Sequence, residues 1–173
     1  MTSHGTAGAL ARVGRVRVTG PNMLRVTWSN KRGGNTIDLT GWIATGGDIL
    51  KPLSEEAIFA RAAVANYGAA VAWDDGDLAI DAMHLKKLAE EQAPFTEHDA
   101  RIWQRAIGVS NNEAADLLGL SASTWLAYKA GSSAIPAAIA MLCRAIQRDP
   151  LLMQAHFRPR PPAGRPRSRA KAS

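Results

Sequence analysis

The sequence predicts an α+β N-terminal domain, an antiparallel sheet with two helices, followed by an all-α domain built on a helix-turn-helix corner. Three observations predict it. Residues 13–39 alternate apolar with polar side chains, the period of strands covered on one face only. Residues 96–148 instead carry apolar side chains three and four apart, the period of helices. Pro94 stands between the two patterns and marks the boundary of domains 12–93 and 95–157.

Residues 1–11 are small and polar and are expected to be disordered. VGRVRV (Val13 to Val18) and MLRVTW (Met23 to Trp28) are the first two strands, with Gly20-Pro21-Asn22 as the turn between them. Asn30 to Gly34 is a second turn signal and Asn35 to Leu39 a short third strand. The resulting meander has one wet face carrying Arg15, Arg17 and Arg25. Ser54, followed by Glu55 and Glu56, is placed to cap a helix reaching Val64 that buries Ile58, Phe59 and Ala62. Ala69 to Trp73 suits a further strand, and Asp74-Asp75-Gly76-Asp77 a turn. Asp81 is placed to cap a helix from Ala82 to Gln92.

In the second domain Thr96 is a helix cap with Glu97 and Asp99 suiting the positive helix start, and Ala100, Trp103 and Ile107 share a face. Ser110 and Glu113 have the spacing of a capping box. The stretch NNEAADLLGLSASTWLAYK (Asn111 to Lys129) then reads as two helices around a tight corner. Ala114, Ala115 and Leu118 fall on one face, and the small Ala115 permits close helix approach. Gly119 allows a left-handed turn, Leu120 plugs the corner, and Ser121 caps a second helix whose Trp125 and Tyr128 point back to the first. Gly131 ends that helix. Ile135-Pro136 leads to an amphipathic helix over Ala137 to Arg148, with a short helical piece from Leu151 to His156. Residues 158–173 are rich in Pro and Arg and read as a basic disordered tail.

Composition removes several classes of function. No apolar run approaches the roughly 18 residues of a membrane span, and no secretion signal opens the sequence, so a cytoplasmic, nucleoid-associated location is expected. A single cysteine, Cys143, excludes an internal disulfide and a cysteine-based zinc finger. Asp74 to Asp77 lacks the alternating ligands and closing Glu of a calcium loop, and no second His or Cys joins Asp81 and His84. No catalytic residue, cofactor site or metal site is assigned, and the protein is expected not to be an enzyme. The net charge of +6 resides in the tail. Residues 1–94 carry ten Lys/Arg and ten Asp/Glu, residues 95–157 five and five, and residues 158–173 six Lys/Arg and no acid.

Residues Thr96 to Ile146 resemble the Cro/repressor-type (xenobiotic-response-element-like) helix-turn-helix family. The likeness rests on the A-x-x-x-G spacing of Ala115 and Gly119, Leu120-Ser121, Tyr128, Gly131 and Ile135-Pro136. Residues Val13 to Leu88 are similar to a small bacterial α+β domain of unknown function often fused ahead of such a motif, through Asp38-Leu39, Lys51-Pro52-Leu53, Phe59 and Ala72 to Asp81.

The resemblance implies a bacterial transcriptional regulator that docks the second motif helix in the major groove of double-stranded DNA. Its implied base-reading positions are Ser121, Ala122, Ser123, Leu126, Ala127 and Ala130. The Thr124 hydroxyl and Lys129 near the far end are further candidate contacts, and Asn111 and Asn112, at the start of the first motif helix, are placed to touch phosphate. The tail cations Arg158, Arg160, Arg165, Arg167, Arg169 and Lys171 would add phosphate contacts. A homodimer is expected because two half-sites multiply the little information one helix reads. The helix departs from the family in carrying alanine and leucine where Gln, Asn, Arg or Lys would read base edges. An antitoxin-like or adaptor protein, binding protein partners through this helix and the N-terminal domain, is the alternative.

Overall fold

The computed structural model describes residues 10–29 and 32–161, and the chain divides into two units, Met1–Ala93 and Pro94–Ser173. In the first unit the alternating segments form β1 (Val13–Gly20), β2 (Met23–Trp28) and β3 (Gly34–Asp38), an antiparallel sheet in that order. The register sets Val16 against Val26 and Leu24 against both Val18 and Ile37. Leu24, Val26, Trp28 and Ile37 are buried on one face. The same register sets Arg17 against Arg25 and Arg25 against Thr36 on the exposed face.

The rest of the unit covers the buried face. Three short helices follow, α1 (Thr40–Thr45), α2 (Gly47–Leu50) and α3 (Glu56–Phe59), with a 3-10 turn over Lys51–Ser54. A second antiparallel sheet of β4 (Ala63–Ala65), β5 (Ala70–Trp73) and β6 (Leu78–Asp81) leads into α4 (Ala82–Gln92). Leu53, Phe59, Val71, Trp73, Ile80 and Leu85 join the first sheet in one core. Within it the Trp73 indole N–H donates to the Phe59 carbonyl at 2.9 Å.

This unit departs from the sequence expectations at four points. It holds two three-stranded sheets rather than one, and four helices rather than two among the described residues. The helix expected to reach Val64 is a single turn. Ser54 ends the preceding 3-10 turn, and Glu55 stands at the cap without a side-chain bond. The chain then turns away, because pairing of Ala63–Ala65 with β5 satisfies the backbone beside the buried Val71 and Trp73, overriding alanine's helix preference. Ala11, expected in the disordered terminus, is buried, and its N–H lies 3.4 Å from Met83 Sδ.

The second unit is helical: α5 (Glu97–Ile107), α6 (Asn111–Leu118), α7 (Ala122–Ala130), α8 (Ala137–Arg148) and α9 (Pro150–His156). Thr96 with Asp99, and Ser110 with Glu113, form reciprocal capping boxes that satisfy the free N–H groups opening α5 and α6. Ala100, Trp103, Ala114, Ala115, Leu118, Trp125, Tyr128, Cys143 and Ile146 make the core. Trp103 and Trp125 meet edge to face, with centroids 5.4 Å apart. Burial pushes the Cys143 thiol up to about 12, leaving it a packing group rather than a nucleophile.

Candidate nucleic-acid interface

The corner between α6 and α7 is built by local chemistry. Gly119 sits at φ 68°, ψ 32°, the left-handed region that a Cβ disfavours. Its turn lets Leu120 N–H return to the Ala115 carbonyl at 2.8 Å. Ser121 then adopts an extended conformation and its Oγ accepts the Thr124 N–H at 3.1 Å, starting α7. Gly131, at φ 74°, ends it.

A polar bond holds α7 to α5 from behind, and further bonds brace α5 itself. The Trp125 indole donates to Gln104 Oε1 at 2.8 Å, while Gln104 Nε2 donates to the Val109 carbonyl at 3.0 Å. The Trp103 indole donates to the Cys143 carbonyl at 2.8 Å. With Trp125 fully buried and Tyr128 nearly so, the rotation of α7 about its own axis is determined.

That rotation exposes Ser121, Ser123 and Leu126 and leaves Ala122, Thr124, Ala127 and Lys129 half-buried. The hydroxyls already form a cluster, with Ser121 Oγ 2.9 Å from Ser123 Oγ and 2.8 Å from Thr124 Oγ1. Each retains acceptor capacity for an incoming donor. Leu126 is 46% exposed at the centre of the outer face.

The remaining sequence-assigned contacts are arranged in ways their spacing did not indicate. Lys129 Nζ donates to Asn111 Oδ1 at 2.7 Å, so these two tie α7 to the start of α6. Burial, together with the Arg101 charge, lowers the Lys129 pKa. Arg101 itself donates to the Lys129 carbonyl. Asn112 is exposed, but its neighbour Glu113 brings a carboxylate to the start of α6.

Of the tail cations, Arg158 donates to the Ala155 and Phe157 carbonyls, at 3.0 and 2.8 Å. Arg160 folds back on α6. Its guanidinium grips Asp116 at 2.6 and 2.8 Å, and its backbone N–H donates to Glu113 at 2.9 Å. Hydrogen bonds from Ser110 and Arg160 hold the Glu113 carboxyl below its usual range, and the bond from Arg160 does the same for Asp116. Arg165, Arg167, Arg169 and Lys171 lie outside the described residues. The Asp116–Arg160 fork was not readable from the sequence, because 44 residues separate its partners.

Among the described residues no helix is long and apolar enough to cross a membrane, and no group of three or more His, Cys, Asp or Glu could hold a metal ion. The first unit has a cleft of about 400 Å³ between the β2–β3 turn and α4, bordered by Trp28, Arg32 and Lys86.

No family model matches the chain, and no curated protein matches it. A solved structure from Nitrosomonas europaea ATCC 19718, of a protein described as a candidate DNA-binding protein, is similar at 24% identity and a TM-score of 0.43. The match covers 79% of this chain and 86% of that one.

Proposed function

We propose that this protein is a non-enzymatic, DNA-binding transcriptional regulator that acts as a homodimer at the nucleoid and docks α7 in the major groove. The observation that carries the reading is the start of α7, where Ser121 and Ser123 stand exposed at the tip of a corner held from behind by Trp125. A helix so presented fits the major groove, where its first residues meet base edges and the adjoining backbone meets phosphates. Hydroxyls and the Leu126 side chain read weakly compared with Arg or Asn, so sequence preference draws on thymine methyls, on DNA shape and on a second half-site. The basic tail adds contacts to phosphate without adding sequence information.

The test is capture and sequencing of genomic fragments by the full-length protein at near-physiological salt, repeated with a Ser121→Glu, Ser123→Glu double variant. A recurring two-fold motif, lost in the double variant, is expected, because two carboxylates would face phosphates and groove edges. A motif retained by the double variant would overturn the docking of α7. The exposed Leu126 favours a second reading, in which α7 faces a protein partner in an antitoxin-like or adaptor role. Absence of any enriched fragment would favour it.

A further inference from the structure

The first unit carries as many acids as bases, but the two signs occupy different places. From Arg12 to Ile37 the chain has six cations, Arg12, Arg15, Arg17, Arg25, Lys31 and Arg32, and no acid. All ten acids of residues 1–94 begin at Asp38. Balance by count therefore conceals a cationic first sheet.

Three of these cations share the open face of that sheet. Arg17 stands directly across from Arg25, and Arg15 is one strand period away, opposite Thr27. Residues two apart on a strand rise about 6.6 Å, and neighbouring strands lie about 4.8 Å apart. The three guanidinium stems thus spring from one small patch. Among the described residues no carboxylate pairs with any of them. Arg25 donates only to the Thr36 hydroxyl, at 3.4 Å. Like charges directly opposite on a sheet are destabilising, and a carboxylate in place of either would remove that cost. Such an arrangement suits a polyanion that supplies the missing charge.

The chemistry of the face selects among polyanions. Its neighbours are Thr27 and Thr36, with Met23 and Asp38 at the far end of the same face, and its strands turn Val16, Val18, Leu24, Val26, Trp28 and Ile37 to the other face. None of the aromatic side chains of these strands is exposed as a platform on which unpaired bases would stack, and the half-buried Met23 by itself is a small anchor for a protein interface. Guanidinium forks and hydroxyls are the groups that meet phosphate oxygens. We infer that the open face of the first sheet, through Arg15, Arg17 and Arg25, is a second DNA-binding surface that holds the phosphate backbone of duplex DNA without reading its sequence. For its partner this inference rests on the DNA-binding reading above. For its site it rests on the first sheet alone.

The experiment compares full-length protein with an Arg15→Gln, Arg17→Gln, Arg25→Gln triple variant, measuring affinity for duplex DNA against salt concentration. Three lost phosphate contacts lower the salt slope by between about 2 and 3. From 50 to 200 mM salt the original protein then loses about 40-fold more affinity than the variant does. Sequence preference stays unchanged, and the matching triple Lys variant restores the slope. Circular dichroism of both variants, expected to match the original, guards against a folding defect.

An unchanged slope in a folded Gln variant overturns the inference. Unchanged DNA binding with lost binding of polyglutamate also overturns it, assigning the face to an acidic protein instead. Failure of α7 docking is separable. DNA binding that survives Ser121→Glu with Ser123→Glu, but loses its slope in the Gln variant, removes the docking and keeps the sheet surface.

Discussion

The helix-turn-helix corner and the first sheet present opposite combinations of shape and charge. The corner has a protruding capped helix, yet its cations are engaged. Lys129 is tied to Asn111, Arg101 to a carbonyl, and Arg160 to Asp116. The sheet has no protruding element, yet among the described residues Arg15 and Arg17 have no carboxylate partner and Arg25 has only a threonine hydroxyl. Shape suited to base edges and charge suited to phosphates thus belong to different parts of the chain. Formal charge per domain does not reveal this, because it averages the sheet with the acids that follow it.

The strongest way to break the comparison is to remove the shape. Trp125→Ala takes away a fully buried indole, its contact with Trp103 and its bond to Gln104. It should cost about 3–5 kcal/mol of the second unit's stability, visible as an early thermal transition followed by helix signal. A melt that hardly moves would mean that α7 is not held from behind as described.

A smaller effect follows from acid. The capping carboxylates Asp99 and Glu113 and the paired Asp116 all have pKa values below their ordinary 3.8, 4.5 and 3.8. For Asp99, burial raises the value, but hydrogen bonds from Thr96 and the nearby His98 and Arg144 charges outweigh it. The unfolded chain therefore binds these protons first. The stability they contribute is complete above the ordinary values and is lost as pH falls through the lower folded ones. The melting temperature of the second unit should hold steady down to pH about 5 and fall below it. Replacing Glu113 with Gln should flatten part of that fall.

The smallest effect belongs to the sheet. Arg17→Glu sets a carboxylate opposite Arg25 and should stabilise the first unit by about 0.2–1 kcal/mol, measured by urea unfolding. The same change should weaken DNA binding at low salt. A gain in stability with a loss in binding would show that the face trades the one for the other.

Local signals were legible where chemistry acts within a few residues. The Thr96 cap, the Ser110 capping box, the left-handed Gly119, the helix end at Gly131, and the inward Trp125 and Tyr128 were all readable from spacing. So was the alternation that turns Arg15, Arg17 and Arg25 to one face of the meander. The run of cations without an acid from Arg12 to Ile37 was equally open to view in the sequence. It is hidden when charge is totalled over a whole domain.

Other features depended on partners distant in the chain. Ala63–Ala65 becomes a strand because β5 is beside it, although alanine alone favours helix. Lys129 and Asn111 become a pair because the Gly119 corner folds α7 back across α6. Arg160 finds Asp116 only once α8 and α9 have returned the chain to α6. By itself the sequence determined periodicity, caps and turns, because these depend on dihedral preferences and on hydrogen bonds spanning three or four residues. Tertiary structure alone decided that Ala63–Ala65 closes a ladder with β5 and which charges were neutralised, because backbone pairing and Coulomb attraction act through space on groups whose own local preferences do not specify a partner.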